Sequence, residues 1–171
     1  MPARGRAVAV VAHCHLNANT KVHGLADYEG ARRDVVDSLI QCGVGIVQLP
    51  CPEATYLGLA RWGMTREQYD VASYRRHCQK LLEPIVEILL ALKADGCTIE
   101  AVVGVDGSPS CGVSRTCVGY AGGEIAALSD TGIPQASEAP KPGVFIEVLQ
   151  ALMGDAGLDV EFRGVTEHLS G

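Results

Sequence analysis

Apolar positions along the chain fall into two alternating kinds of block. Ala7–His13 (AVAVVAH), Val44–Leu49 (VGIVQL) and Ile99–Val105 (IEAVVGV) are short, Val-rich runs. That is the pattern of strands buried on both faces. Between them the apolar residues recur at helical spacing. Glu29–Gln41 places Ala31, Val35, Val36, Leu39 and Ile40 on one face, and Cys42-Gly43 stops it. Thr65–Ala94 is a long helical stretch opened by a capping-box pattern, Thr65 to Gln68. Its later half carries Leu82, Ile85, Val86, Leu89 and Leu90, and Pro84 is expected to kink or split it. A short helix is expected at Glu124–Leu128. A further helix opens at Lys141-Pro142, with proline near its first position and Val144, Phe145, Val148, Leu149 and Leu152 on its face. Val160–Arg163 reads as a last short strand.

Strands alternating with helices predict a single-domain α/β fold. The sheet is mostly parallel and three-layered (Rossmann-like), with right-handed crossovers and helices on both faces. The 171 residues suit one domain with a full core. In such sheets ligands bind outside the carboxyl ends of the strands, near the point where the strand order reverses. The segments that follow the strands are therefore the place to look for chemistry.

Each of the three strands runs into a loop carrying one cysteine. The first is His13-Cys14-His15-Leu16-Asn17-Ala18-Asn19, the second Pro50-Cys51-Pro52-Glu53, the third Asp106-Gly107-Ser108-Pro109-Ser110-Cys111-Gly112. One strand-end cysteine reads as well as a small buried hydrophobe. Three of three, in loops rich in Gly, Pro and Ser, point to a shared site. Cys42, Cys78 and Cys97 fit structural roles, and Cys117 is the one reserve ligand. No C-x-x-C pair is present, which argues against a zinc ribbon, a thioredoxin-type pair or a ferredoxin run. The positions six residues after Cys14, Cys51 and Cys111 are Thr20, Leu57 and Cys117, so the cysteine–arginine spacing of a phosphatase loop is missing. Three thiolates can hold a catalytic zinc with an open position, or an iron–sulfur cluster one ligand short. Spacing does not choose between them.

The neighbours of the cysteines add candidates. Glu53 stands beside Cys51, where like charge and burial would raise its pKa and make it a proton donor. Ser108 and Ser110 can bond sulfur, substrate or Glu53, or simply form the turn. Asn17 and Asn19 can present amides to a substrate or shape an Asx-turn. His13 and His15 flank Cys14. Tyr56 and Trp62 follow Cys51 and can pack on a planar ring. Arg66, Arg75, Arg76 and His77 read as the wet face of a helix.

Charge narrows the partners. Fourteen basic and 20 acidic residues give a formal charge of −6, and no basic stripe or stacking platform for a strand is evident. This argues against nucleic acid held by its phosphates. No apolar run approaches the ~20 residues that span a bilayer, so no membrane partner is expected. With no secretion signal read, seven cysteines suggest a reducing cytoplasm rather than a disulfide framework.

The segments HCHLNANTKVHG, LPCPEATYLGLARWGMTREQYD, YRRHCQKLLEPI, GVDGSPSCG and PGVFIEVL resemble the DUF523 family, and within it the thiouracil desulfidase branch. The resemblance runs from about His13 to Leu152, and CPE together with SPSCG is specific. The first loop is patterned differently from that of many members of the broader family. The resemblance implies a [4Fe-4S] cluster held by three cysteines, which it places on Cys14, Cys51 and Cys111. It implies that the open iron takes the sulfur of a thiolated base such as 2- or 4-thiouracil, which leaves as hydrosulfide without net electron transfer. Glu53 and Ser108 would assist, Glu53 managing protons and Ser108 orienting it. The expected partner is a free thiolated base, and the expected state a monomer or weak homo-oligomer. A cluster- or zinc-holding sulfur carrier or sensor without turnover, and a plain binding module with structural cysteines, are the alternatives.

Overall fold

The structure, a computed structural model, describes residues 3–123 and 136–167. The helix expected at Glu124–Leu128 lies outside the described residues. Six strands are present among those described: β1 (Ala7–Val11), β2 (Gly45–Gln48), β3 (Thr98–Asp106), β4 (Thr116–Val118), β5 (Ser137–Ala139) and β6 (Phe162–Thr166). Four of them form a parallel sheet in the order β2-β1-β3-β6, while β4 and β5 pair antiparallel apart from it. Val10 lies opposite Val47 on one side and Val102 on the other, and Val102 in turn lies opposite Phe162. The chain leaves β1 to form β2 on one side, then returns to form β3 on the other. The strand order therefore reverses between β1 and β3.

The helices are α1 (His13–Leu16), α2 (Arg33–Gln41), α3 (Pro52–Leu57), α4 (Arg66–Tyr69), α5 (Ala72–Ala94) and α6 (Val144–Asp155), with a 3-10 turn at Ala18–Thr20. Helices α5 and α6 cover one sheet face. There Tyr74, Cys78, Leu82 and Leu89 meet Phe145, Ile146, Leu149 and Met153 over Val10 and Val102. Helix α2 covers the other face, where Val35 sits on Ala9, Val11, Ala101 and Val103. The fold is thus the three-layer, parallel α/β arrangement that the alternating blocks predict.

Several boundaries differ from those expected, each for a local reason. Strand β1 stops at Val11 because the next residues turn: the His15 amide donates to Ala12 O at 3.1 Å and opens α1. Helix α2 begins at Arg33, since the Arg32 amide is bound to the His15 carbonyl at 2.7 Å and the chain there is extended. Ile40, expected on its buried face, is 63% exposed; the helix is short and rests on the sheet through Val35 and Leu39. The long helical stretch breaks at Asp70-Val71, not at Pro84. The capping box of Thr65 and Gln68 forms as expected, but it opens only the four residues of α4. Helix α5 runs 23 residues straight through Pro84. Its buried stripe continues unbroken from Tyr74 to Leu89 while Pro84 is exposed, so the carbonyl left without a donor faces water. Pro142 stands before the N-cap Gly143, two positions ahead of the first helical residue, Val144.

Helix α6 has no side-chain cap. Its first amides donate instead to the loop after β3: Gly143 N to Gly112 O at 3.0 Å, Val144 N to Pro109 O at 3.0 Å, and Phe145 N and Ile146 N to Ser110 O at 3.0 and 3.1 Å. These are the amides that a helix start leaves without partners. Gly143 allows the approach, because a Cβ there would collide with the Ser110 carbonyl group. Gly143→Ala should therefore lower stability by about 1–3 kcal/mol in urea unfolding, the usual cost of overpacking. Gly154→Ala, in the same helix with open space around it, should raise it by about 0.5–1 kcal/mol.

Candidate functional site

Cys14, Cys51 and Cys111 follow β1, β2 and β3 and gather at the end of the sheet where the strand order reverses. Cys51 and Cys111 are buried and Cys14 is half-buried. Cys51 is the N-cap of α3, its sulfur accepting from the Ala54 amide at 3.4 Å. The hydrogen bond from the Cys14 thiol, aided by that amide, lowers the Cys51 pKa to about 7. Cys14 keeps its proton, its pKa raised by the same bond and by burial. Burial, then the Cys51 and Glu53 charges, pushes Cys111 well above the ordinary thiol range.

The Cys111 loop is the most constrained part of the site. Ser108 Oγ accepts from the Ser110 and Cys111 amides at 3.3 and 3.0 Å, and Thr116 Oγ1 donates to Ser108 O at 3.0 Å. Beneath the loop, a Cβ on Gly104 would strike the Cys111 carbonyl and Val113. Asp106 holds the far end by accepting from the Val113 and Ser114 amides at 2.9 and 3.0 Å and from the Ser114 hydroxyl. Burial opposes ionisation of Asp106, but these bonds keep its pKa below the ordinary value.

The other expected site residues divide. Glu53 is buried on α3, and its Oε2 accepts from Arg61 Nε at 3.1 Å. The sequence reading placed only thiolates around it and missed this cation. Ser108 is committed to the loop amides and makes no hydrogen bond to Glu53, so the expected orienting bond is replaced by a loop-forming one. Ser110 is fully buried and bonds the Tyr74 hydroxyl at 2.8 Å, which makes it part of the core. Asn17 accepts from the Asn19 amide and side chain at 3.1 and 2.9 Å; the two form the Asx-turn that was the alternative to substrate binding. His15 Nε2 donates to Gly104 O at 2.9 Å, which leaves the buried Nδ1 without a partner. His13 Nδ1 meets the Gln48 amide, and its buried Nε2 has none. Cys117 points its thiol at Met64 O, 3.4 Å away. Burial, with Glu53 adding to it, raises its pKa to about 11.

Tyr56 and Trp62 do not join the core: they are 41% and 85% exposed. Arg66, expected on a wet face, is buried between Asp70, Glu147 and the Pro142 carbonyl, and bolts α4 to α6. Arg61 and Tyr69 are the residues that sequence reasoning passed over. Arg61 is the one charged residue between Glu53 and Arg66, a lone cation in an apolar run. Tyr69 is 1% exposed with no partner closed on its hydroxyl, and burial and the Glu53 charge raise its pKa. A cavity of about 240 Å³ beside Arg61 is lined by Val22, His23, Ala60 and Trp62. A wider one of about 790 Å³ runs along Asp27–Asp34 and touches none of the cysteines.

Among the described residues, no three His, Cys, Asp or Glu side chains close on a point that could hold a single metal ion. A polynuclear cluster does not need that convergence, because its cysteines bind separate irons. Three soft sulfurs from three loops, largely shielded from water, are ligands that fit such a group. If the Asp106 clamp holds the Cys111 loop, Asp106→Ala should be less stable than the wild type at neutral pH. The folded-state pKa is lowered, so this difference should be full above about pH 4 and close as pH falls below it. Urea midpoints measured across that range check it.

Residues 7–122 match the family described as "Putative 2-thiouracil desulfurase". "Uncharacterized protein MJ0003" of Methanocaldococcus jannaschii is 44% identical over 112 residues, covering 66% of this chain and 71% of that protein. A solved structure of the "[4Fe-4S]-dependent thiouracil desulfidase TudS" superposes with a TM-score of 0.46 at 18% identity, over 92% of this chain and 90% of that one. The matched stretch spans well over half of the chain and includes all three strand-end cysteines and Glu53, and the chain belongs to the 2-thiouracil desulfurase family.

Proposed function

We propose that the protein is a desulfidase that removes sulfur from a small thiolated pyrimidine base, such as 2- or 4-thiouracil, as hydrosulfide. The observation that carries this reading is the gathering of Cys14, Cys51 and Cys111 at the strand-order reversal, with buried Glu53 beside them. A [4Fe-4S] cluster on those three cysteines would supply an iron with an open position, a Lewis acid toward the thiocarbonyl sulfur. The net reaction adds water across the thiocarbonyl carbon: a C–O bond forms, the C–S bond breaks, sulfur leaves with its electron pair, and no electrons are exchanged.

The chain's own residues have defined parts. Cys51 reaches the thiolate state most readily of the three, and the α3 amide stabilises that charge. The glycine-backed loop fixes Cys111. Glu53 Oε2 is held by Arg61, and among the described residues no hydrogen bond reaches Oε1. Oε1 is thus the atom free to take a proton from the attacking water and return it to the ring nitrogen or the leaving sulfur. Ser108 acts by holding the Cys111 loop. All seven cysteines are free, which fits a reducing, cytoplasmic setting, and no described helix is long and apolar enough to cross a membrane.

Anaerobic reconstitution with iron and sulfide tests the ligand set. Cys14→Ser, Cys51→Ser and Cys111→Ser should each lose most bound iron and the broad visible absorption of an iron–sulfur centre. Cys42→Ser, Cys97→Ser and Cys117→Ser should keep both; equal damage from Cys117→Ser would mean a fully ligated cluster. Glu53→Gln should keep its iron and lose ~10²–10⁴-fold in sulfide release, the usual worth of a positioned acid–base group. Normal turnover in that variant would remove Glu53 from the reaction.

The substrate is tested by competition. Offered free thiouracil and thiolated transfer RNA at matched concentration, the reconstituted protein should release sulfide from the free base, with little dependence on salt. A preference for RNA that weakens steeply as salt rises would show phosphate contacts and overturn the free-base reading.

A further inference from the structure

The Arg61 guanidinium serves three acceptors on two segments. Nε donates to Glu53 Oε2 at 3.1 Å, Nη1 to Gly58 O at 3.2 Å and Nη2 to Thr20 O at 2.8 Å. Glu53 and Gly58 are the first turn and the C-cap of α3, the helix that Cys51 starts. Thr20 lies in the loop that Cys14 opens, 41 residues earlier in the chain. The side chains of Arg61 and Glu53 are 4% and 12% exposed, so the pair is shielded from water and from salt. A planar fork presents its donors from three separate nitrogens in fixed directions and so spans acceptors on two segments, whereas an ammonium offers its three donors from one point.

We propose that Arg61 is the positioning residue of the site: held in place by the Gly58 and Thr20 carbonyls, it fixes the Glu53 carboxylate with Oε1 turned free. This rests on the desulfidase reading for its effect on turnover. Arg61 acts through Glu53 and needs no contact with substrate. Loss of the fork should therefore lower kcat and leave KM nearly unchanged, because a misplaced catalytic group loses rate before it loses binding.

The test is a double-variant cycle of Arg61→Met and Glu53→Gln on full-length protein, with Arg61→Lys alongside. Iron content and visible absorption after reconstitution should match the wild type in every variant. Arg61→Met should lose ~10–10²-fold in kcat with KM within about threefold, and Arg61→Lys should recover only part of that loss. In the Glu53→Gln background Arg61→Met should cost nothing further, since there is no carboxylate left to place. A simple structural brace would cost the same in both backgrounds, and that additivity would overturn the proposal. Urea unfolding of the cluster-free proteins gives a second reading that needs no activity. Each single variant strands one buried charge, so the double variant should unfold at a higher midpoint than the two single shifts predict. Additive midpoints would likewise overturn the proposal. Wild-type protein that holds its cluster but releases no sulfide would refute the desulfidase reading, and the urea cycle would then decide the role of Arg61.

Discussion

The site depends on where the unpaired amides of α6 go. A helix must satisfy its first N–H groups, and here no side chain offers to do so. The carbonyls of Gly112, Pro109 and Ser110 take them, and the loop that carries Cys111 becomes the cap of a buried helix. The arrangement works in both directions. Helix α6 gets its start from the loop, and the loop gets a rigid seat from the helix and from the hydrophobic core beneath it. The glycines are what make the seat possible, since Gly104 and Gly143 face backbone too closely to carry a side chain. A cysteine placed this way is held by the main chain of α6 and by the side chains of Ser108 and Asp106.

The three cysteines are secured by different means. Cys111 sits in a loop locked from below, from behind and at its far end. Cys51 is held by helix geometry, as the cap of α3 with Pro52 following it. Cys14 rides a single turn, with the Tyr28 hydroxyl on its carbonyl at 2.8 Å. Two bridges join these supports. Arg61 spans the first loop and α3, and the Tyr74–Ser110 bond ties α5 to the third loop. A scaffold whose parts brace one another in this way is what the proposed three-cysteine centre would require, because each ligand must be in place before any of them is useful.

Much of the fold was legible because its signals are local. Val-rich runs and helical periodicity depend on neighbours in sequence, and the strand-end rule turns their order into a place. That was enough to bring Cys14, Cys51 and Cys111 together on paper. The residues that stayed hidden act over long separations. Nothing near Arg61 in sequence says that its partners are Glu53 and Thr20, and nothing near Arg66 says that it will be buried against Glu147 rather than hydrated. The small polar residues are ambiguous in sequence for a related reason. Ser108, Ser110, Asn17 and Asn19 can each serve a substrate or the protein itself: here nearby backbone amides claim Ser108 and Asn17, the Tyr74 hydroxyl claims Ser110, and the Asn19 side chain donates to Asn17. Pro84 shows the limit of a purely local rule, since its effect depends on which side of the helix faces water.

The position of the single tryptophan gives the molecule an unusual optical property. Trp62 is 85% exposed in the native state, next to Arg61 and the small cavity. Its indole is already hydrated, so unfolding changes its surroundings little, and its emission is a weak gauge of folding. The buried Tyr69 and Tyr74 rings carry that information instead. What the indole does report is local: a planar molecule stacking on it, or a nearby chromophore that absorbs where it emits, would dim or shift its light while the rest of the protein stays spectroscopically silent.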